Sequence, residues 1–188
     1  KRQGRGLAIL IMNTNAPHQL NDGQYAARRA VIDGVTADLG VSSLRFAEEA
    51  EDASVGWAKA NDVDPVEVAA RVRHVVSEIA RTAEAIKQVS AGDMEAFGRS
   101  MQGSHASLRD DYEVTVPELD TAVDVAMAQG ALGARMTGGG FGGSAIALLR
   151  EDQVEATATA VAEAFAEKGF NEPEFVVALP SDGAHRNA

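Results

Sequence analysis

Five of the six positions from 138 to 143 are glycine, in the run Gly138-Gly139-Gly140-Phe141-Gly142-Gly143, with apolar segments on both sides. Glycine loses more freedom on ordering than any other residue and offers a strand no side chain to pack, so such a run needs a structural reason. The reading that fits best is a tight loop between two strands whose backbone approaches a ligand. Its successive N–H groups then form an anion-binding nest. The alternative is a flexible hairpin tip. A single aromatic, Phe141, in the middle of the run favours a loop anchored to a core.

Gly138, Gly140 and Gly143 satisfy the spacing G-x-G-x-x-G, which in a dinucleotide-binding fold follows a strand and opens a helix. Here the run leads into Ser144-Ala145-Ile146-Ala147-Leu148-Leu149, which reads as a strand, and no helix is expected before about Asp152. The dinucleotide reading fails on that context. No Gly-Lys-Ser/Thr closes the run, so a P-loop fails as well.

At 188 residues the chain is long enough for one well-cored domain. A net charge of −11 speaks against general binding to nucleic acid or to anionic membranes, though a local positive site for phosphate remains compatible with it. The absence of cysteine excludes disulfides, zinc–thiolate sites and thiol nucleophiles, and suits a reducing cytoplasm. No stretch is apolar for long enough to span a bilayer as a helix. The basic start Lys1–Gly6 precedes too short an apolar run for a signal peptide. A chain that begins without methionine just upstream of a strand reads as one cut from something longer.

Leu7–Met12 has the continuous apolar character of a buried strand. A polar loop from Asn13 to Asn21 carries Pro17 and His18. A helix is expected from Asp22 to Leu39 with Gly40 beyond its end, then one short helix near Leu44–Glu51. The clearest helix is 65–90: Asp64 as N-cap, Pro65 in the first turn, Glu67 reaching back to the cap, Gly92 closing it. Helices are also expected from Met94 to about Leu108, from Pro117 to Gly130, and from Gln153 to Lys168, the last capped by Asp152 with support from Glu155. In the first of these, Gly98, Ser100, Gly103 and Ser104 allow close approach of a neighbour. Phe175–Leu179 reads as the last strand. The order predicts an α+β fold, a ferredoxin-like βαββαβ sheet with a block of helices inserted into its first crossover.

His18, His74, His105 and His185 show no metal-ligand spacing, and His74 and His105 read as packing or hydrogen-bonding residues within helices. Arg109-Asp110-Asp111-Tyr112-Glu113 reads as a helix end held by salt bridges rather than as a catalytic cluster. Tyr25, with Arg28 and Arg29, lies just after a core strand. Its hydroxyl can bond a polar ligand or pack, and the arginines can meet phosphate or structural carboxylates. These residues lead to a ligand-cradling α/β domain, suited to phosphate, and no further.

Three segments together resemble the C-terminal half of the galactokinase family within the GHMP small-molecule kinase superfamily. They are Asn13-Thr14-Asn15-Ala16-Pro17-His18-Gln19-Leu20 with Tyr25 and Arg28-Arg29; Ser104-His105-Ala106-Ser107-Leu108-Arg109-Asp110-Asp111-Tyr112-Glu113-Val114 with Pro117–Asp120; and Arg135-Met136-Thr137 leading into Gly138–Gly143. Arg73–Val76 with Glu78, Arg81 and Thr82 adds a weaker match. The glycine segment points to the superfamily and the second segment to galactokinases.

The resemblance implies phosphorylation of galactose at its anomeric hydroxyl with Mg-ATP, ATP and Mg2+ being the co-substrate and its ion. It implies that residues 1–188 are one GHMP C-terminal domain, that Tyr25 contacts the sugar, and that Gly138, Gly139, Gly140, Phe141, Gly142 and Gly143 line the sugar and phosphoryl-transfer region. The family's nucleotide-binding loop, N-terminal sugar motif and catalytic aspartate and arginine have no counterpart here, so no catalytic or metal-binding residue is assigned. The expected partners are galactose, ATP and an N-terminal half, and the fragment alone is expected to be inactive. Rival readings are a kinase for a related sugar, a non-catalytic galactose and ATP sensor on the same fold, and an independent binding module.

Overall fold

The structure, a computed structural model, describes residues 6–17 and 22–178. His18, His185, Leu179 and the rest of both termini, including part of the first resemblance segment, lie outside the described residues.

Four strands form one antiparallel sheet in the order β2-β3-β1-β4, with β1 Leu7–Asn13, β2 Gly133–Thr137, β3 Ser144–Arg150 and β4 Glu174–Ala178. This is the expected ferredoxin-like order. β1 pairs with β3 from Leu7↔Arg150 to Asn13↔Ser144, and with β4 from Ile9↔Ala178 to Asn13↔Glu174. Alternation then directs Leu10, Met12, Ala134, Met136, Ala145, Ala147 and Leu149 to one face, where α5 (Pro117–Ala128) and α6 (Val154–Lys168) cover them. Leu119, Ala122, Val161 and Phe165 complete that core and are fully buried.

The first crossover carries α1 (Asp22–Asp38), α2 (Ala50–Ala60), α3 (Pro65–Ala91) and α4 (Met94–Asp110). A second apolar cluster, built on Val35, Leu44, Ala50, Ala58, Val68 and Val72, holds the first three together. The helix starts follow local chemistry: Asp64 accepts from Val66 N at 2.8 Å and Asp93 from Ala96 N at 2.9 Å, while Gly92 and Gly169 close their helices at φ of 75° and 70°.

Three expectations need correction. The short helix placed near Leu44–Glu51 is a single 3-10 turn, Leu44–Phe46, and the true helix is α2. That helix packs through Ala50, Ser54 and Ala58, small residues that leave no strong apolar periodicity. Glu67 does not reach back to the Asp64 cap but accepts from Arg71 Nη2 at 3.2 Å. Asp152 does not cap α6: Arg150 holds its carboxylate at 3.1 and 3.2 Å, and Gln153 Oε1 accepts from Arg150 N instead.

Candidate functional site

The glycine run is a six-residue loop closing the β2–β3 hairpin, since pairing ends at Thr137↔Ser144. Gly138, Gly140, Gly142 and Gly143 have φ of 90°, 88°, 125° and 85°, and Phe141 has φ of 61°. Gly140 is the position where lack of a side chain is decisive. A Cβ there would stand 2.5 Å from Val114 O and 2.6 Å from Val114 Cβ. The loop is therefore pressed against the turn between α4 and α5, and Phe141 N donates to Val114 O at 2.7 Å. Its other end is held by Thr14, whose N and Oγ1 both donate to Gly143 O, at 3.0 and 2.7 Å. The loop is anchored, and the flexible hairpin tip is set aside.

Tyr25 projects from the first turns of α1, more than half exposed, with its ring edge 4.0 Å from where a Gly139 Cβ would be. Arg28, one helical turn on, donates through Nε to Tyr112 O at 2.9 Å and through Nη2 to Glu113 O at 3.0 Å, and its guanidinium lies 5.2 Å from the Phe141 ring centroid. Burial, then the neighbouring Arg71, lowers the Arg28 pKa from its ordinary value. Arg29 points away and pairs with Asp33 on the helix surface. Among the described residues the amides of Gly139, Gly140, Gly142 and Gly143 have no intramolecular acceptor, whereas that of Phe141 is committed to Val114.

The Arg109–Glu113 segment is structural. Arg109 pairs with Asp110, Asp111 accepts from Arg73 and from Ser107 Oγ, and Glu113 meets the fully buried Arg71. Tyr112 stacks on His74 with centroids 4.4 Å apart, and burial raises its pKa above the usual phenol value. His105 Nδ1 accepts from Met136 N at 3.2 Å, which puts its proton on Nε2, beside Asp120. Both helical histidines are packing and bonding residues.

His74 is buried against Ser107 Oγ, 3.0 Å from Nδ1, and desolvation lowers its pKa from 6.5. Below pH of about 6.5 the unfolded chain therefore binds a proton that the folded chain refuses, so stability falls as pH drops below that value. Unfolding free energies measured from pH 7.5 to 5.5 are expected to decline. In His74→Gln the decline should be shallower, and an identical slope in both would remove His74 as its cause.

A separate cavity of about 340 Å³ opens on the other face of the sheet, between β1, β2 and β3 and helices α3 and α4. There Glu78 accepts from Ser104 Oγ at 2.6 Å, pairs with Arg81, and lies 3.7 Å from Arg135. This cavity reaches the glycine loop only at its stem, Thr137. Among the described residues no group of three or more His, Asp or Glu side chains converges on a point where a metal ion would sit.

Thr14, Val114 and Arg28 are the residues that shape the loop: Arg28, read in the sequence as a partner for phosphate or carboxylate, bonds backbone carbonyls instead, and Thr14 and Val114 carry no local sign of their role. Thr14 is separated from its partner by 129 positions and Arg28 from Tyr112 by 84, so no local pattern links them.

A glycine loop between β2 and β3 of this sheet, braced by helices from the first crossover, is the architecture of a GHMP kinase C-terminal domain. The "GHMP kinases C terminal" family, of the GHMP kinase superfamily, matches residues 82–167. Within it, the chain corresponds to the C-terminal half of galactokinases. It is 44% identical over 181 residues to the galactokinase of Streptomyces coelicolor, covering 96% of this chain and 46% of that protein. The galactokinase of Streptomyces lividans is 41% identical, over 95% of this chain and 44% of its own length. The chain thus spans a little under half the length of the curated relatives it matches. Among solved structures, a Lactococcus lactis galactokinase complexed with galactose superposes with a TM-score of 0.82 at 40% identity, over 93% of this chain and 45% of its own. An L. major mevalonate kinase, at 18% identity and TM-score 0.54, shares the fold.

Proposed function

We propose that these 188 residues are a single domain, the second half of the sugar cleft of a galactokinase, an enzyme that transfers the γ-phosphoryl group of Mg-ATP to the anomeric hydroxyl of galactose. The observation that carries the reading is the facing pair formed by the exposed Tyr25 ring and the braced Gly138–Gly143 loop, in a chain matching galactokinases at 41% and 44% identity.

In this reading the Tyr25 phenol and the uncommitted amides of Gly139, Gly140, Gly142 and Gly143 meet the sugar and the transferring group. At Gly140 Val114 excludes any side chain, and bare backbone at the neighbouring positions leaves room for a ligand. The oxygens of a sugar or phosphoryl group suit a row of N–H donors. Phosphoryl transfer depends on positioning and on charge stabilisation around nucleotide, ion and acceptor. Tyr25 and the loop supply the first of these on one side of the acceptor. The residues that would hold ATP and Mg2+ belong to the other half of the enzyme, in the cytoplasm.

The test is an ADP-release assay with galactose and Mg-ATP, comparing these 188 residues with the same gene product read from its natural start. Turnover is expected in the longer protein alone. Turnover by a sample whose mass shows only the 188 residues would sink the assignment of the nucleotide site to the other half. No turnover by either protein, with galactose or with a panel of related sugars, would sink the kinase reading.

A further inference from the structure

We propose that Arg28 is a positioning residue that sets the spacing between Tyr25 and the glycine loop, and with it the fit of the sugar; the inference rests on the galactokinase reading. Four consecutive carbonyls behind the loop are all committed. Asp111 O accepts from Arg71 Nη1 at 2.5 Å, Tyr112 O and Glu113 O accept from Arg28, and Val114 O accepts from Phe141 N. The turn they form is strained, with Glu113 at φ 52°, and it faces a loop strained at Phe141, φ 61°. Non-glycine residues stay in that region only where their surroundings over-determine them.

Two arginines do the holding, in different ways. Arg71 is 2% exposed, bridges α3 to the turn, and also meets the Glu113 and Glu67 carboxylates. Among the described residues its hydrogen bonds go to the turn and to Glu67, not to the loop or Tyr25. Arg28 touches the turn through two carbonyls and the loop through the Phe141 ring, and it stands on the same face of α1 as Tyr25, three positions on. Its one guanidinium therefore ties the helix bearing Tyr25 both to the loop and to the turn behind the loop. Without it, Arg71 still fixes the turn to α3, so the fold survives. What is lost is the registration of Tyr25 against Gly139.

Arg28→Met and Arg28→Lys in the longer gene product separate this from a merely structural role. For Arg28→Met, kcat/KM for galactose should fall about tenfold or more, with KM for galactose rising, while KM for ATP stays within about twofold. Arg28→Lys keeps a cation near Phe141 but cannot span two carbonyls, and should fall between. Hydrogen exchange at the Phe141 amide should quicken about tenfold in Arg28→Met, reporting a loosened loop without reference to catalysis. Galactose kinetics unchanged in both variants, equal losses toward galactose and ATP, or unchanged Phe141 exchange would each overturn the proposal. If the wild-type enzyme ignores galactose, the functional reading fails by itself, and the exchange comparison still decides whether Arg28 holds the loop.

Discussion

Gly98→Ala is expected to destabilise the chain by about 3 kcal/mol or more, although alanine is the better helix former by about 1 kcal/mol. Gly98 lies inside α4, where that helix crosses β2. A Cβ on it would stand 2.5 Å from Leu132 C and nearer still to its oxygen. The contact is reciprocal, since a Cβ on Gly133 would lie 2.5 Å from Gly98 Cα. These neighbours are backbone on both sides, so no side chain can swing away. Relief needs a shift of the helix against the sheet, and that helix also carries Ser104, His105, Ser107 and Leu108 into buried positions. The clash therefore outweighs the helix propensity. Gly56→Ala in α2 is the control: its Cβ would meet nothing within 4 Å, so propensity acts alone and a gain of up to about 1 kcal/mol is expected. Urea unfolding of the three proteins decides it, and a Gly98→Ala midpoint at or above wild type would show that the α4–β2 contact yields.

How much of this was readable in the sequence depends on the range of the interactions involved. β1, α3, α4 and the strand–glycine–strand unit were all legible, because each is announced by apolar patterning or by a cap within a few residues of its boundary. Asp64, Pro65 and Gly92 delimit α3 by purely local chemistry. Where two local readings compete, the stronger partner wins and the sequence does not say which it is. Glu67 and Asp152 had plausible cap roles, but a guanidinium lay within reach of each, and a charge-assisted bond outbids a cap. That the loop is anchored was legible in Phe141, but the residues that brace it were not. Arg71 is buried because Asp111 and Glu113, some forty positions away, come to it, and nothing near it in the sequence marks that. One amide of the glycine run is unavailable to a nest, since the Phe141 N–H turns inward to Val114.

Gly140→Ala should separate stability from activity more sharply than any other change in the loop. The residue sits at φ 88°, and its Cβ would be 2.5 Å from Val114 O. Were the loop forced to stay docked, backbone strain of about 1–3 kcal/mol and overpacking of about 1–3 kcal/mol would add together. It has an easier escape. Lifting off the turn forfeits the Phe141–Val114 hydrogen bond, about 1 kcal/mol net, and the Arg28–Phe141 contact, about 0.5–1 kcal/mol. The loss of folding stability should therefore stop near 2 kcal/mol, because releasing the loop becomes cheaper than keeping it. Activity has no such ceiling. A loop displaced by even an ångström no longer faces Tyr25, and misplacement of that size lowers turnover by about a hundredfold. Gly138→Ala makes the comparison. Its φ is 90° but, among the described residues beyond its chain neighbours, no atom lies within 4 Å of the added Cβ, so the strain acts without the clash and the loop has less reason to leave the turn. With galactose and the longer gene product, kcat/KM should fall about a hundredfold in Gly140→Ala and by much less in Gly138→Ala, at similar costs in unfolding free energy. Near-wild-type turnover by Gly140→Ala would mean that contact with Val114 is not what holds the loop in its working place. Equal losses in the two variants would mean that backbone conformation alone matters there, and that the turn behind the loop is a spectator.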